Sequence, residues 1–224
     1  MLQVSTEDAV KNRHTVRKYL DKKIEGEVLD NLNSLVKECN EEGGLHIQLI
    51  TDEPEAFSGL KSRMVKSSGV ANYVALVGKE SDKLDVLLGY YGEKIVIRAA
   101  ELGLNSWWVA LTFSRKKTKC VIDAGEKLVC VIALGYGAEQ GSAHKVKDIG
   151  AVSKVDGEMP EWFKKGMEYA LLAPTALNQQ KFMFELSGNK VTAKSLGGSY
   201  SNVDLGIAKY HFEIGAGKEN FEWA

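Results

Sequence analysis

Residues 127–135 read Lys-Leu-Val-Cys-Val-Ile-Ala-Leu-Gly, the most apolar strand-like run in the chain. Such a run, short and closed by glycine, predicts a strand at the centre of a sheet. The apolar stretch Val129 to Leu134 within it is far too short to span a bilayer. Upstream, residues 104–111 read as a strand, and residues 84–102 as a long, mostly apolar helix that Gly103 ends as a C-cap. Residues 72–78, with Tyr-Val-Ala-Leu-Val inside, form a second buried strand. Before them come a helix begun at Ser5 or Thr6 and running through Asn12, and an extended connector over 13–20. A helix over 25–39 follows, with Val28, Leu32, Leu35 and Val36 at helical spacing, closed by Gly43-Gly44. A strand over 46–51 and a helix over 56–67 complete that part.

Downstream of 127–135 lies a polar connector, 138–157, then a helix over 161–172 that stops at Pro174. Residues 182–187 and 190–194 pair as a hairpin about the turn dipeptide Gly188-Asn189. A last helix, 203–214, ends at Gly215. This mixed order predicts an α+β fold, a mainly antiparallel sheet covered by helices, and not a doubly wound nucleotide fold. A faint internal echo, Ile95-x5-Glu101-Leu102-Gly103 against Ile207-x5-Glu213-Ile214-Gly215, reads either as two related halves or as chance likeness between amphipathic helices.

The chain has 224 residues and a formal net charge of −1. That balance provides no electrostatic drive toward nucleic acid or anionic membrane. The N-terminus, Met-Leu-Gln-Val-Ser-Thr-Glu-Asp, has no basic n-region and no signal-peptide core, so a cytoplasmic location is expected. Three cysteines, Cys39, Cys120 and Cys130, fit buried thiols in a reducing compartment, and their spacing predicts no metal site. There is no Walker A loop, Gly135-x-Gly137-x3-Gly141 has the wrong spacing for a dinucleotide fingerprint, and the four histidines form no HExxH.

Two short segments are chemically unusual. In Arg13-His14-Thr15-Val16-Arg17, two guanidinium groups and a hydroxyl fall at alternate positions. In extended chain they share a face and make an anion cradle; the other reading is a solvated basic connector. The segment Ala173-Pro174-Thr175-Ala176-Leu177-Asn178-Gln179-Gln180 leaves a helix and enters a strand. Its neutral donors and acceptors suit a flat polar heterocycle, or else cap the loop itself.

Together these segments resemble the FMN-dependent nitroreductase family. Residues 13–17 match its Arg-x-Ser-x-Arg/Lys motif with Thr for Ser. Residues 173–181 match its Ala-Pro-Ser-x-x-Asn-x-Gln-Pro motif up to the final Pro. Ala99-Ala100-Glu101-Leu102-Gly103-Leu104 is similar to the family's Ala-x-x-Leu-Gly-Leu junction, and Ile132-Ala133-Leu134-Gly135-Tyr136-Gly137-Ala138-Glu139 to its Ile-x-Leu-Gly-Tyr-Pro-x-Glu segment, with Gly137 for Pro.

In ordinary members the Pro-Ser-x-x-Asn loop follows the second helix, where this chain has Cys39-Asn40-Glu41-Glu42-Gly43-Gly44. The resemblance therefore implies a fused pseudo-dimer of the tandem-subdomain kind. Residues 1–150 would carry the Arg motif, residues 151–224 the Pro-Thr-x-x-Asn loop, and the chain would hold one FMN. Arg13 and Thr15 would hold the flavin phosphate or ribityl chain, Arg17 would approach the pyrimidine edge, and His14 would be a further cofactor-binding residue. Ala110 and Leu111 align with backbone donors near N5, and Lys145 and Lys147 with phosphate-binding positions. Pro174, Thr175, Ala176 and Asn178 would contact ring and ribityl. NAD(P)H and a nitroaromatic, quinone or similar acceptor would be the partners, with no side-chain acid or nucleophile needed. A non-catalytic flavin reservoir or redox sensor is the alternative. Trp107 and Trp108 read as packing residues, or as lining of the site, and residues 115–119 as a solvated basic loop.

Overall fold

The computed structural model describes residues 4–224, so Met1–Gln3 of the N-terminal stretch read above lie outside the described residues. Among the described residues, helices α1 (Thr6–Asn12), α2 (Gly26–Gly43), α3 (Leu60–Met64), α4 (Leu84–Glu101), α5 (Glu161–Leu171) and α6 (Ser201–Ala216) are interspersed with eight strands. The strands are β1 (Gln48–Ile50), β2 (Asn72–Lys79), β3 (Asn105–Val109), β4 (Glu126–Gly135), β5 (Ser153–Val155), β6 (Phe182–Ser187), β7 (Lys190–Ser195) and β8 (Glu222–Trp223). The fold is mixed α+β, as the element order predicts. Among the described residues no helix is long and apolar enough to cross a membrane.

The chain divides into two compact units. Unit 1 takes in Arg13–Leu84 and Ile95–Ser142; unit 2 takes in Thr6–Asn12, Asp85–Lys94 and Ala143–Ala224.

Unit 1 is built on a sheet of order β1-β2-β4-β3, antiparallel throughout, in which β4 is an inner strand as its composition predicts. Tyr73, Ala133 and Trp107 stand in one cross-strand row. With Ala75, Val77, Val109 and Val131 they pack against Val16, Tyr19, Phe57 and Phe113. A bulge between Leu76 and Val77 shifts the register, so Leu128 takes the place in this core that strict alternation would assign to Val129. The other face, with Val74, Leu76, Cys130, Ile132 and Leu134, is equally buried. Burial on both faces is why β4 reads as a continuous apolar run instead of an alternating one. The helix expected over 56–67 is a 3₁₀ turn, Glu55–Phe57, and then the short α3. Gly59 and the ties that hold this segment, Glu53 Oε1 accepting from Glu55 N at 2.8 Å and Ser62 Oγ donating to Thr112 O at 2.6 Å, break it in two.

Unit 2 carries the sheet β5-β6-β7-β8, in which the β6–β7 hairpin is antiparallel and the flanking pairs are parallel. Strand β5 lies inside the stretch read as a connector, and β8 is a further unexpected strand; both are too short to leave a periodic signature. Helices α5 and α6 pack together around Phe163, Phe184, Phe212 and Phe221. Helix α6 also meets residues 85–94 backbone to backbone at Gly89 and Gly206, where an added Cβ would fall 2.1 Å from Val203 O and 2.0 Å from Val86 O respectively.

Candidate functional site

Each unit holds one group of the residues singled out in the sequence. In unit 1, residues 13–20 form irregular chain pinned at its backbone. Thr15 makes a parallel bridge to Ser106, and Val16 N donates to Ser106 O at 3.0 Å. Leu20 N donates to Tyr136 O at 2.8 Å, and Ala138 N to Lys18 O at 2.9 Å. The strict alternation expected for Arg13, Thr15 and Arg17 is corrected here. Arg13 is 8% exposed, Thr15 half-buried and Arg17 exposed, while the inserted apolar side chains are Val16 and Tyr19. A spacing of three between 13, 16 and 19 belongs to winding chain, because the segment bonds to separate partners in turn instead of to one neighbouring strand.

The Arg17 guanidinium lies 5.4 Å from the centroid of the Trp107 ring. Trp107 is itself part of the core, so the cation rests on a rigid aromatic face that limits where it can point. His14 is half-buried and, with Thr15, lies against Gly141, where a Cβ would sit 2.7 Å from Thr15 O. Gly137 explains its own departure from the family pattern. Its N–H donates to Asn105 Oδ1 at 3.0 Å, which proline could not do, and a Cβ there would lie 2.5 Å from that oxygen. Ala110 and Leu111 follow β3 and border a cavity with residues 59–62 and 112–116. The basic residues of the stretch beyond, Arg115, Lys116, Lys117 and Lys119, are exposed as expected, and two of them are also tied down. Arg115 donates to the carbonyls of Leu128 and Val129, and Lys117 Nζ to Glu55 Oε2 at 2.8 Å.

In unit 2, residues 174–180 form a tight loop in which Leu177, Asn178 and Gln180 have φ of 52°, 54° and 44°. Three non-glycine residues in the left-handed region cost on the order of 1–3 kcal/mol each and persist only when the surroundings over-determine them. They are over-determined here. Asn178 N donates to Thr175 O at 2.9 Å, Gln179 N to Ala176 O at 3.0 Å, and Gln180 N to Thr175 Oγ1 at 3.1 Å. Asn178 Nδ2 and Gln180 Nε2 both donate to Lys145 O at 2.8 Å, and Gln180 Nε2 also reaches Asn178 Oδ1 at 2.7 Å. Lys147 closes the set, its N donating to Gln180 Oε1 at 2.8 Å and its Nζ to Gln180 O at 2.9 Å. Lys145, Lys147, Thr175, Ala176 and Asn178 are thereby gathered into one knot. Leu177 stands out from it, 102% exposed.

The residue that sequence reading missed is Asp204, in the first turn of α6. It is 3% exposed, and its carboxylate accepts from Ala176 N at 2.9 and 3.1 Å and from Gln179 Nε2 at 2.7 Å. Burial pushes its pKa up to about 6, against the pull of the two donors. The available signal was one carboxylate inside the apolar run Val203-Asp204-Leu205-Gly206-Ile207. A third group, His46, Asp123 and Glu126, lies elsewhere in unit 1 with its potential ligand atoms within 4.8 Å of one another. Its content is a hydrogen bond between His46 Nδ1 and Glu126 Oε2 at 2.7 Å, which holds the Glu126 carboxyl below the usual range.

The group in unit 1 carries guanidinium cations, and the group in unit 2 carries ammonium cations with neutral amides; each is the kind of donor set that suits phosphate or a polar heterocycle. The α+β fold and these segments define a nitroreductase-type chain. The family model described as "Putative TM nitroreductase" matches residues 5–216, and the chain belongs to that family. Among solved structures it is similar to a "putative nitroreductase" from Thermotoga maritima, at 22% identity and a TM-score of 0.68 over 96% of this chain and 84% of that one. A "putative nitroreductase in complex with FMN" from Desulfovibrio desulfuricans is 16% identical, with a TM-score of 0.51 over 70% of this chain and 98% of the other. A "Putative NADH dehydrogenase/NAD(P)H nitroreductase" from Bacteroides thetaiotaomicron is 18% identical, with a TM-score of 0.50 over 66% and 95%. At these identities the likeness is one of fold. No curated protein matches the chain.

Proposed function

We propose that the chain is an FMN-dependent oxidoreductase that passes reducing equivalents from NAD(P)H to a nitroaromatic, quinone or similar acceptor. The observation that carries this reading is the strained loop of residues 174–180, held in shape by Asp204, Lys145 and Lys147. Strain kept at such cost and so fully tied is characteristic of a ligand clamp. It falls on the segment that matches the family's cofactor motif.

In this reading Arg13, His14 and Thr15 hold the phosphate and ribityl chain of FMN, with Lys145 and Lys147 adding positive charge. Pro174, Thr175 and Ala176 shape the seat of ring and ribityl. Asn178 is committed to Lys145 O and Gln180 Nε2, so much of its part is to keep the loop in form. Arg17 stands as a fixed cation at the pyrimidine edge, where it favours the more negative, reduced ring. Backbone N–H groups at Ala110 and Leu111 serve the N5 edge. Bound FMN supplies the hydride-accepting chemistry that no side chain here provides. With a nitro acceptor the overall balance is ArNO2 + NAD(P)H + H⁺ → ArNO + NAD(P)⁺ + H2O.

The purified chain should take up one FMN, bleach with NADH or NADPH, and recover its colour with a quinone. Arg17→Ala and Asn178→Ala should each weaken FMN binding about tenfold, the size of one lost charge-assisted or loop-forming bond. Fluorescence titration with FMN measures both. A chain that binds no FMN ends this reading, and an effect from only one of the two variants removes the other's segment from the site.

A further inference from the structure

The cavity beside Ala110 and Leu111 has a volume of about 440 Å³, within the range of small-molecule sites. Its walls are tied together by Ser62 Oγ to Thr112 O at 2.6 Å and Ser114 N to Ala56 O at 2.7 Å, so its shape is set by the fold. Leu60 and Leu111 flank it while 74% and 69% exposed, an apolar lining left open to solvent. Lys61, Arg115 and Lys116 also line it, and no acidic residue does. Among the described residues Lys61 and Lys116 make no ion pair. Arg115 spends its donors on the carbonyls of Leu128 and Val129, which fix the guanidinium without cancelling its charge. Lys117 shows the contrast, being neutralised by Glu55 and absent from the lining. Three uncompensated cations around an apolar-sided hollow focus a positive potential into it.

We propose that this cavity receives the electron acceptor and selects aromatic acceptors carrying a carboxylate or sulfonate over neutral ones with the same ring. The proposal rests on the functional reading above, which sets Ala110 and Leu111 by the reactive edge of the cofactor. An acceptor must come within roughly 3–3.5 Å of that edge, so its binding pocket must border the same stretch. Leu60 and Leu111 then sandwich the ring, and Lys61 and Lys116 meet the anionic group at the mouth.

Two measurements on the full chain loaded with FMN test this. The first compares kcat/KM for 4-nitrobenzoate and 4-nitrobenzamide with NAD(P)H as donor. The anion should be favoured about tenfold at low ionic strength, and the ratio should fall as salt rises and the Debye length shrinks. The Lys61→Ala, Lys116→Ala double variant should bring the ratio near one, while Lys37→Ala, which removes one positive charge from α2 away from the cavity, leaves it unchanged. The second titrates benzoate, which cannot be reduced, and follows the amide resonances of residues 110–116. Benzoate should shift them in wild type and about tenfold more weakly in the double variant. Equal ratios in wild type and double variant, or resonances that do not move, overturn the proposal. So does benzoate that displaces FMN, which would make the cavity part of the cofactor's seat. A chain that takes up no FMN, or is not bleached by NAD(P)H, refutes the functional reading instead, and the benzoate titration still reports on the cavity.

Discussion

Gly206→Ala should lower the melting temperature by about 10 °C, the expected scale of a loss near 3–4 kcal/mol in a chain of this size. A Cβ at this position would stand 2.0 Å from Val86 O, 2.7 Å from Tyr90 N and 2.9 Å from Gly89 Cα. All three are backbone atoms, so no rotamer change relieves the clash, and the helix segments must move apart. Separation by even a fraction of an ångström also loosens the packing around it, since interiors pack like crystals. Gly59→Ala is the control, because nothing lies within 4 Å of its added Cβ. It should shift the melting temperature by no more than about 2 °C, the scale of losing a glycine N-cap. Thermal unfolding followed by circular dichroism decides the matter, and equal effects of the two substitutions would refute the close-packing account.

The second large effect belongs to Asp204. Its ordinary pKa of 3.8 rises to about 6 in the folded chain because burial penalises the charge. Between those values the folded state binds a proton that the unfolded state does not, so unfolding releases it and stability falls as pH rises. The contribution is fully present below about pH 4 and lost above about pH 6, amounting to roughly 3 kcal/mol for a shift of this size. Asp204→Asn cannot titrate. The difference in unfolding free energy between wild type and Asp204→Asn should therefore slope across pH 4 to 6.5 and flatten above it. Urea denaturation at a series of pH values measures it, and a level difference curve would show that the carboxyl is not perturbed. Asp204→Ala should separate the loop-holding role from the titration. It strips the Ala176 N–H of its acceptor, so exchange of that amide should speed up about tenfold or more, the worth of one buried hydrogen bond. Asp204→Asn, which keeps one acceptor oxygen, should retain most of the protection.

The limits of sequence reading fall on particular residues. Helices α2, α4, α5 and α6 and strands β2, β4, β6 and β7 were legible because each is long enough to repeat its period. Strands β5 and β8, at three and two residues, are too short to repeat the two-residue period and exist because β6 and β7 offer them open edges. The α3 region failed for a different reason, since its helical spacing was overridden by the tertiary tie from Ser62 to Thr112 O and by the local bond from Glu55 N to Glu53. The Arg motif was visible as a set of residue types. Its alternation was not real, because the segment takes its hydrogen bonds from Ser106, Ser68 and Tyr136 one after another.

Residue types and their local order were enough to establish an α+β chain, an inner strand at 127–135 and two segments bearing family motifs. These follow from side-chain periodicity and turn chemistry, which act within a few neighbours along the chain. Long-range contact alone assigned the rest: the division into units, Asp204 beneath the loop, Arg17 on the Trp107 ring, and the uncompensated charges of Lys61 and Lys116. Hydrogen bonding and charge compensation depend on distances of a few ångströms between residues many positions apart, and no local pattern encodes which partners those will be.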